Sequence, residues 1–346
     1  MSVLSTSKPM LWMSAFTGFY RPGAQEVREL DVVSRFLYSA RSVILVISAQ
    51  AALIAGLLAA DAGQFHLVSF LGVLVGFVVA HMISNLSNDY FGFKRGHDTP
   101  DSPRMRYTVH PLASGVLSGP SLVTGLLILG VIGAAITAGF VEERGWLAVA
   151  FAAPGIALLY WYDAAPVPLK SIGLGELAVL IVWGPLMIGG GYAMITGEVS
   201  AKAMFASIPY GLAVMTILNG KHIDQMEFDT SRGIHTLPEI IGEKSARGLN
   251  VASLVAMYAI VVAGVLFLHL TPFALLVFIA APAALRAIRI TSQPRPSAAP
   301  PRYVGWPLWY HRACLQHSRV FGWAYIGGLA AGTIWTLLGR WAPAAG

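Results

Sequence analysis

The stretch NLSNDYFGFKRGHDTPDS, Asn85 to Ser102, follows directly on the apolar run LVSFLGVLVGFVVAHMIS. Asn85, Asn88 and Asp89 lie three and four residues apart, so on a helix they share one face. Asp98 and Asp101 follow where glycine and proline end the helix. A second stretch, LNGKHIDQMEFDTSRGIHTLP, Leu218 to Pro238, closes another apolar run and offers Asp224, Glu227 and Asp229, interleaved with Lys221, His222 and Arg232. Asp224 and Glu227 are three apart and meet on a helix, while Gln225 and Asp229 lie on a neighbouring strip. Acidic groups gathered at a lipid boundary point to a metal ion or a polar ligand. An ordinary solvated loop is the other reading, and it weakens once two such segments close two apolar runs.

Two carboxylates 4 Å apart repel by about 1 kcal/mol in water and about 4 kcal/mol near a protein surface, and a divalent cation removes that penalty. The available ligands are oxygens, with no thiolate pair and no clustered histidines, which favours Mg²⁺ over zinc. Mg²⁺ usually bridges carboxylates to phosphate oxygens, and Lys94, Arg95, Lys170 and Lys221 are placed to hold the remaining negative charge. The chain has no P-loop and no GxGxxG between a strand and a helix, which excludes the nucleotide-binding folds. A diphosphate with a membrane-soluble tail fits both the acidic segments and their apolar setting.

The elements that carry these segments are membrane helices. Of 346 residues, 56% are hydrophobic and 12% charged, with a mean hydropathy of +0.65, against about 25% charged in soluble domains. Nine apolar spans are predicted, at 42–60, 67–86, 121–140, 146–162, 172–195, 204–219, 250–270, 273–290 and 321–339, each near the roughly 20 residues needed to cross the hydrocarbon core. With the N-terminus inside, all but three of the 23 lysines and arginines (Arg144, Lys202 and Arg340) fall on the cytoplasmic side, as the positive-inside rule requires. The fold class is therefore all-α and polytopic, one domain over 1–346. The formal charge of +6 reflects topology rather than nucleic acid binding.

The long connections, about 87–120, 220–249 and 291–320, all lie on the cytoplasmic side, where function tends to sit. Residues 291–305 read as a Pro/Arg-rich linker, followed by Trp306, Trp309 and Tyr310 at headgroup level. His311 and His317, six apart, are expected to be polar surface residues. Residues 1–40 lie on the membrane surface through Trp12, Phe16, Phe19 and Tyr20 or form a flexible segment, and they show no removable signal peptide. Cys314 is the single cysteine, so there is no disulfide framework.

The first acidic segment resembles the first aspartate motif of the UbiA superfamily of intramembrane prenyltransferases. It looks closest to the branch that prenylates 1,4-dihydroxy-2-naphthoate in menaquinone synthesis, which reads NLxNDYxDxxxGxD. DTSRGIHTLPEIIGEKSAR is similar to the second motif, with Gly233 and Thr236 at the expected distances after Asp229. PLKSIGLGELAVLIVWGPLMIGGGY resembles the entrance of the fifth helix, with Gly173, Gly175 and Glu176, and SARSVILVISAQAALIAGLLAA the first helix, with Arg41 as its leading arginine. The resemblance covers about 35–340.

The resemblance implies Mg²⁺-dependent ionisation of an allylic prenyl diphosphate and transfer of the prenyl group to an aromatic acceptor, in an integral protein of a bacterial cytoplasmic membrane with its site facing the cytoplasm and its pocket among membrane lipid. It implies metal ligands among Asn85, Asn88, Asp89, Asp98, Asp224, Glu227 and Asp229, and diphosphate contacts from Arg41, Lys94, Arg95, Lys170 and Lys221. Asn85, Asp89, Asp224 and Asp229 would serve catalysis with Glu176, which orients the acceptor, accepts a proton or is a helix-start carboxylate. Tyr90, Phe91, Tyr160 and Tyr162 stabilise a carbocation or pack at the interface. Two departures stand out: Gly92 and Gln225 occupy positions where the family usually has aspartate, so metal ligation is expected to use Asn85, Asp89, Asp98, Asp224 and Asp229 in an altered arrangement. Two other readings differ in outcome: a terpene cyclase on the same scaffold, and a transporter or ion-binding protein, whose sites lie instead near the midplane.

The topology gives the first test. In a background with Cys314 replaced, cysteines at Thr99 and Ser231 are expected to react with an impermeant thiol reagent only from the cytoplasmic side, and one at Gly145 only from the other. Labelling of Thr99 and Gly145 from the same side would break the nine-span arrangement.

Overall fold

A computed structural model of the protein describes residues 22–99, 102–106, 108–303 and 305–341. Trp12, Phe16, Phe19, Tyr20 and Asp101, named above, lie outside the described residues. Among the described residues, nine helices are long and apolar enough to cross a membrane. Two short helices, α1 (Ala24–Arg28) and α2 (Val32–Ser39), precede α3 (Val46–Asp61), α4 (Leu67–Lys94), α5 (Gly119–Arg144) and α6 (Trp146–Asp163). The fifth span is composite: α7 (Gly175–Ile181), a π-helical stretch Val182–Gly189, and α8 (Gly190–Thr196). Then come α9 (Ala201–Ser231), short α10 (Leu237–Ile241), α11 (Glu243–Phe267), a 3₁₀ stretch Pro272–Ala280 leading into α12 (Ala281–Thr291), and α13 (Tyr310–Trp341).

Several helices run beyond the apolar windows that reveal them. α4 continues to Lys94 and α9 to Ser231, so Asp89 and Asp229 lie within helices rather than in loops. Hydropathy ends a span where polar residues begin, but here Asp89, Asp224, Gln225 and Asp229 turn inward and are buried, so the helix need not stop. α9 is the centre of the bundle, packing on α7, the π-helical stretch, α10, α11 and α13. Its core contacts include Tyr210, whose hydroxyl donates to the carbonyl oxygen of Ile47 at 2.9 Å. Asn219 of α9 donates to the Ala246 carbonyl and to Asn250 Oδ1 on α11, at 2.9 and 2.8 Å, a polar bond of the sort that holds helices together in lipid.

The connection before α13 departs from the sequence reading. Tyr310 is 1% exposed, packed within the protein rather than presented to lipid, and its hydroxyl donates to the Gln293 carbonyl at 2.9 Å. Residues 291–303 fold back onto the bundle, with Arg295 donating to the main-chain oxygen of Asp224 at 2.7 Å. His317 is fully buried rather than on the surface, 2.9 Å from the Tyr258 hydroxyl, and His311 Nδ1 faces the Ile217 carbonyl at 3.1 Å. These residues were misread because α13 begins eleven residues before its apolar window, and its first turns pack inside.

Close approach of two backbones sets the position of α7. A Cβ added at Gly211 of α9 would lie 2.8 Å from the Leu180 carbonyl oxygen and 3.1 Å from Gly184 Cα. Those atoms are main chain and cannot rotate away. Gly211→Leu is therefore expected to lower the thermal stability of the purified protein by about 1–3 kcal/mol, the usual penalty of overpacking. Gly139→Leu, where nothing lies within 4 Å, is expected to be neutral. Equal melting temperatures for the two variants would refute this account of the helix crossing.

Candidate active site

One end of the bundle gathers the ends of α4, α6 and α9 with the start of α7. Asp89 is fully buried on α4. Arg41 and Arg104 both ion-pair with its Oδ1, and Arg104 Nη2 donates to Oδ2 at 2.5 Å. Arg41 stands at the start of the first span in left-handed backbone conformation, φ 57° and ψ 49°, which is disfavoured for a residue with a Cβ by roughly 1–2 kcal/mol. The ion pair with Asp89 offsets that strain. Asn85, one turn earlier, donates from Nδ2 to the Ala40 carbonyl at 3.0 Å, fastening the same junction through its amide.

Asp98 fills the space that Gly92 leaves open. A Cβ at Gly92 would overlap Asp98 Oδ2 and lie 3.1 Å from its Cγ. The backbone turns there, with the N–H groups of His97 and Asp98 both donating to the Gly92 carbonyl, at 2.9 and 3.2 Å. The carboxylate is 3.3 Å from Nε2 of the fully buried His110. His110 Nδ1 accepts the N–H groups of Leu112 and Ala113 at 3.2 Å each, so the ring proton is on Nε2, facing Asp98. Burial pushes the Asp98 carboxyl up, but His110 and the charges of Arg104 and Lys170 outweigh it and hold the group well below the usual carboxylate range. Asp98, the last acid of the motif, thus occupies the space that a side chain at position 92 would need.

The second segment joins this cluster through one face of α9. Asp229 is buried and lies within Coulombic range of His222, Lys221, Lys170 and Asp98. Lys221 in turn is within range of Asp229, Lys170, Arg41 and Asp98. Lys170, on the connection between α6 and α7, ion-pairs with Asp163 and donates to Asn88 Oδ1 at 3.3 Å. The connection is tied to the second segment by the Ile172–His235 bridge, in which the His235 N–H donates to the Ser171 carbonyl at 3.2 Å. Glu176, in the first turn of α7, meets His222 of α9 with 2.7 Å between Oε1 and Nδ1.

Other residues that the sequence singles out stand elsewhere. Both Asp224 oxygens accept from the start of α13, the N–H groups of Tyr310 at 3.1 Å and His311 at 3.0 Å. α9 is regular α-helix throughout, so five residues before Asp229 is about 140° away, and Asp224 faces a helix N-terminus whose free N–H groups need an anion. Glu227 is exposed. Arg95 donates to the carbonyls of Asp163, Ala164 and Ala165 at 2.5, 3.2 and 2.7 Å, closing the C-terminus of α6. Lys94 is exposed, 5.7 Å from the Tyr90 ring centre, while Phe91 faces Arg95 at 5.3 Å and Tyr160 is 53% exposed. Among the described residues no three His, Cys, Asp or Glu side chains converge as a ready metal cage.

Three residues of the cluster, Arg104, His110 and Asp163, escape sequence reasoning, as does the pairing of His222 with Glu176. Asp163, 1% exposed, carried a signal in YWYDAAPVPLK, an acid closing a third apolar run. Arg104 and His110 had none, because a loop residue shows no periodicity.

The sequence pattern of the UbiA prenyltransferase family matches residues 50–312. The chain is 28% identical over 229 residues to a 1,4-dihydroxy-2-naphthoate octaprenyltransferase of Bacillus subtilis strain 168, covering 65% of this chain and 72% of that one. It is 30% identical over 233 residues to a 2-carboxy-1,4-naphthoquinone phytyltransferase of Synechocystis, covering 67% and 73%. In fold it is similar to a UbiA homologue from Archaeoglobus fulgidus bound to GPP and Mg²⁺, with TM-score 0.57, 15% identity and coverage of 86% and 99%. It is likewise similar to an apo UbiA homologue from Aeropyrum pernix K1, with TM-score 0.61, 18% identity and coverage of 85% and 98%.

The Gly92–Asp98 contact makes a thermodynamic prediction. Gly92→Ala is expected to displace Asp98 from His110 and lower the melting temperature, as Asp98→Ala should by itself. In the Asp98→Ala background, Gly92→Ala is expected to cost much less, with a coupling energy of about 0.5–3 kcal/mol. Additive effects in thermal unfolding would show that the two positions do not compete for one space.

Proposed function

The chain belongs to the UbiA prenyltransferase family, and on that premise we propose that it transfers a polyprenyl group from an allylic prenyl diphosphate to a hydroxylated aromatic acceptor of the quinone-precursor kind. The observation that carries this is that Asp98 from the first segment and Asp229 from the second both stand within Coulombic reach of Lys170 and Lys221. Acids and bases interspersed in this way suit a metal–diphosphate better than either charge alone. The two naphthoate-family relatives support an aromatic acceptor. The family, together with the nine apolar helices, makes this an integral membrane enzyme, which sets the transporter reading aside. We place the whole chain in one transmembrane domain of a bacterial cytoplasmic membrane, with the acidic end toward the cytoplasm.

The donor set fits Mg²⁺, because the groups at hand are the oxygens of Asp98, Asp229 and Asn88 rather than thiolates or paired imidazoles. Asp89 lies beside them but is neutralised by two guanidinium groups, and Asp224 and Glu227 point elsewhere. When bound, Mg²⁺ supplies Lewis-acid stabilisation to a leaving diphosphate. Lys170 and Lys221 would receive diphosphate oxygens by charge-assisted hydrogen bonds. Asp89 would keep Arg41 and Arg104 in place at the edge of that pocket. The reacting carbon then lies on the membrane side of the carboxylates, where lipid-embedded helices exclude the water that would quench a carbocation. The Tyr162 ring stands beside the start of α7, 3.7 Å from where a Cβ at Gly175 would lie.

Asp229→Asn is expected to lower Mg²⁺-dependent prenyl transfer by at least 100-fold while leaving the melting temperature within a few degrees. Asp89→Asn, by contrast, is expected to lose stability as well as activity, since it leaves the buried guanidinium of Arg104 and the half-buried one of Arg41 without their anion. Product analysis with and without an aromatic acceptor separates transfer from cyclisation. A cyclic hydrocarbon or alcohol formed from the diphosphate alone, at the rate seen with acceptor, would overturn the transferase reading.

A further inference from the structure

Glu176 and His222 form a pair that diphosphate binding does not use. They are 1% and 3% exposed and come from different helices, brought together by the glycine-lined crossing of α9 with the π-helical stretch. Glu176 Oε1 is taken by His222 Nδ1, and Oε2 is buried with no hydrogen-bond partner among the described residues. A pair serving only to join two helices would be expected to satisfy both oxygens, because an orphaned buried acceptor is penalised by about 1–3 kcal/mol. The pair also has a definite place relative to the diphosphate groups. His222 precedes Asp229 by seven residues, which returns to nearly the same face of α9 about 10 Å deeper in the membrane. That is where an acceptor ring must stand to meet a carbon whose diphosphate is held at Asp229.

We propose that His222 is a catalytic residue that accepts the proton of a phenolic hydroxyl on the acceptor, and that Glu176 is the positioning residue that holds its ring. This rests on the prenyl-transfer reading above. With Nδ1–H donating to Glu176, Nε2 carries the lone pair that faces the hydroxyl. As the prenyl C–O bond breaks, its electron pair leaves on the diphosphate. The ring carbon forms the new C–C bond using electrons released when the hydroxyl proton passes to His222 Nε2. The resulting ketone regains aromaticity by losing the ring carbon's proton to the departed pyrophosphate, or by losing its carboxyl group as CO₂, while His222 returns its proton to the oxygen. Glu176 Oε2 stands ready for a second hydroxyl.

The test uses the full chain in lipid nanodiscs with geranyl diphosphate, Mg²⁺ and 1,4-dihydroxy-2-naphthoate as probes, following prenylated product and pyrophosphate release separately. For His222→Gln, kcat for transfer is expected to fall by about 10²–10⁴, the usual range for general acid–base catalysis. The KM for geranyl diphosphate should stay within threefold, as should pyrophosphate release without acceptor. Glu176→Gln should lose about tenfold or more in kcat with the same KM, and Glu176→Asp should recover part of it, as positioning through a carboxylate requires. Transfer by His222→Gln at the wild-type rate would overturn the proposal. So would an equal loss of pyrophosphate release with and without acceptor, which would place His222 in diphosphate binding or in folding. Wild-type protein that releases no pyrophosphate under any condition would instead overturn the prenyl-transfer reading, and this proposal with it.

Discussion

Asp89 is an anion with no access to solvent, held between the guanidinium groups of Arg41 and Arg104. The three residues come from the second span, the start of the first, and the loop that follows the first acidic segment. Each of these elements would otherwise leave a charge facing lipid or protein. Losing one member of a buried ion pair typically costs about 3–5 kcal/mol, and here the loss would uncover two cations at once. The interaction therefore fixes the loop over the end of α4, and with it His110 and Asp98. Its energy also supports Arg41 in a backbone conformation that few residues tolerate.

A second constraint works through shape. Gly211 and Gly184 allow α9 and the fifth span to touch at main-chain distance, and Gly220 does the same for α9 and α13, where a Cβ would lie 2.8 Å from the His311 nitrogen. α9 is thereby gripped from two sides. One contact delivers Glu176 to His222, and the other delivers Asp224 to the first turn of α13. Two acids five residues apart on one helix thus acquire different work: Asp224 closes a helix terminus, while Asp229 faces the basic cluster.

The departures from the family motifs follow the same logic. Gly92 lacks a carboxylate, yet its missing side chain is the room in which Asp98 sits, so negative charge is kept near the same point. Gln225 has no such replacement, since the neighbouring Asp224 turns to α13. The site is accordingly less acidic on the α9 side and is flanked there by Lys221, a balance that favours binding an anionic ligand.

Nine spans, their boundaries to within a few residues on the lipid side, and the two acidic segments were legible in the sequence because each depends on local composition: apolar length measures the bilayer, and polar residues interrupt it. The family motifs were legible for the same reason, as short runs at fixed spacing. Helix ends were not, because α4, α9, α11 and α13 continue past their apolar windows on residues whose polarity is satisfied by other helices. Side-chain partners were legible least of all. Nothing near Asp224 in sequence announces the N-terminus of α13, nothing in DSPRMRY marks Arg104 for Asp89, and His317 reads as a surface histidine until Tyr258 is packed beside it. Those assignments depend on which helices cross at glycines and at what depth, a property of the assembled bundle and not of any one segment.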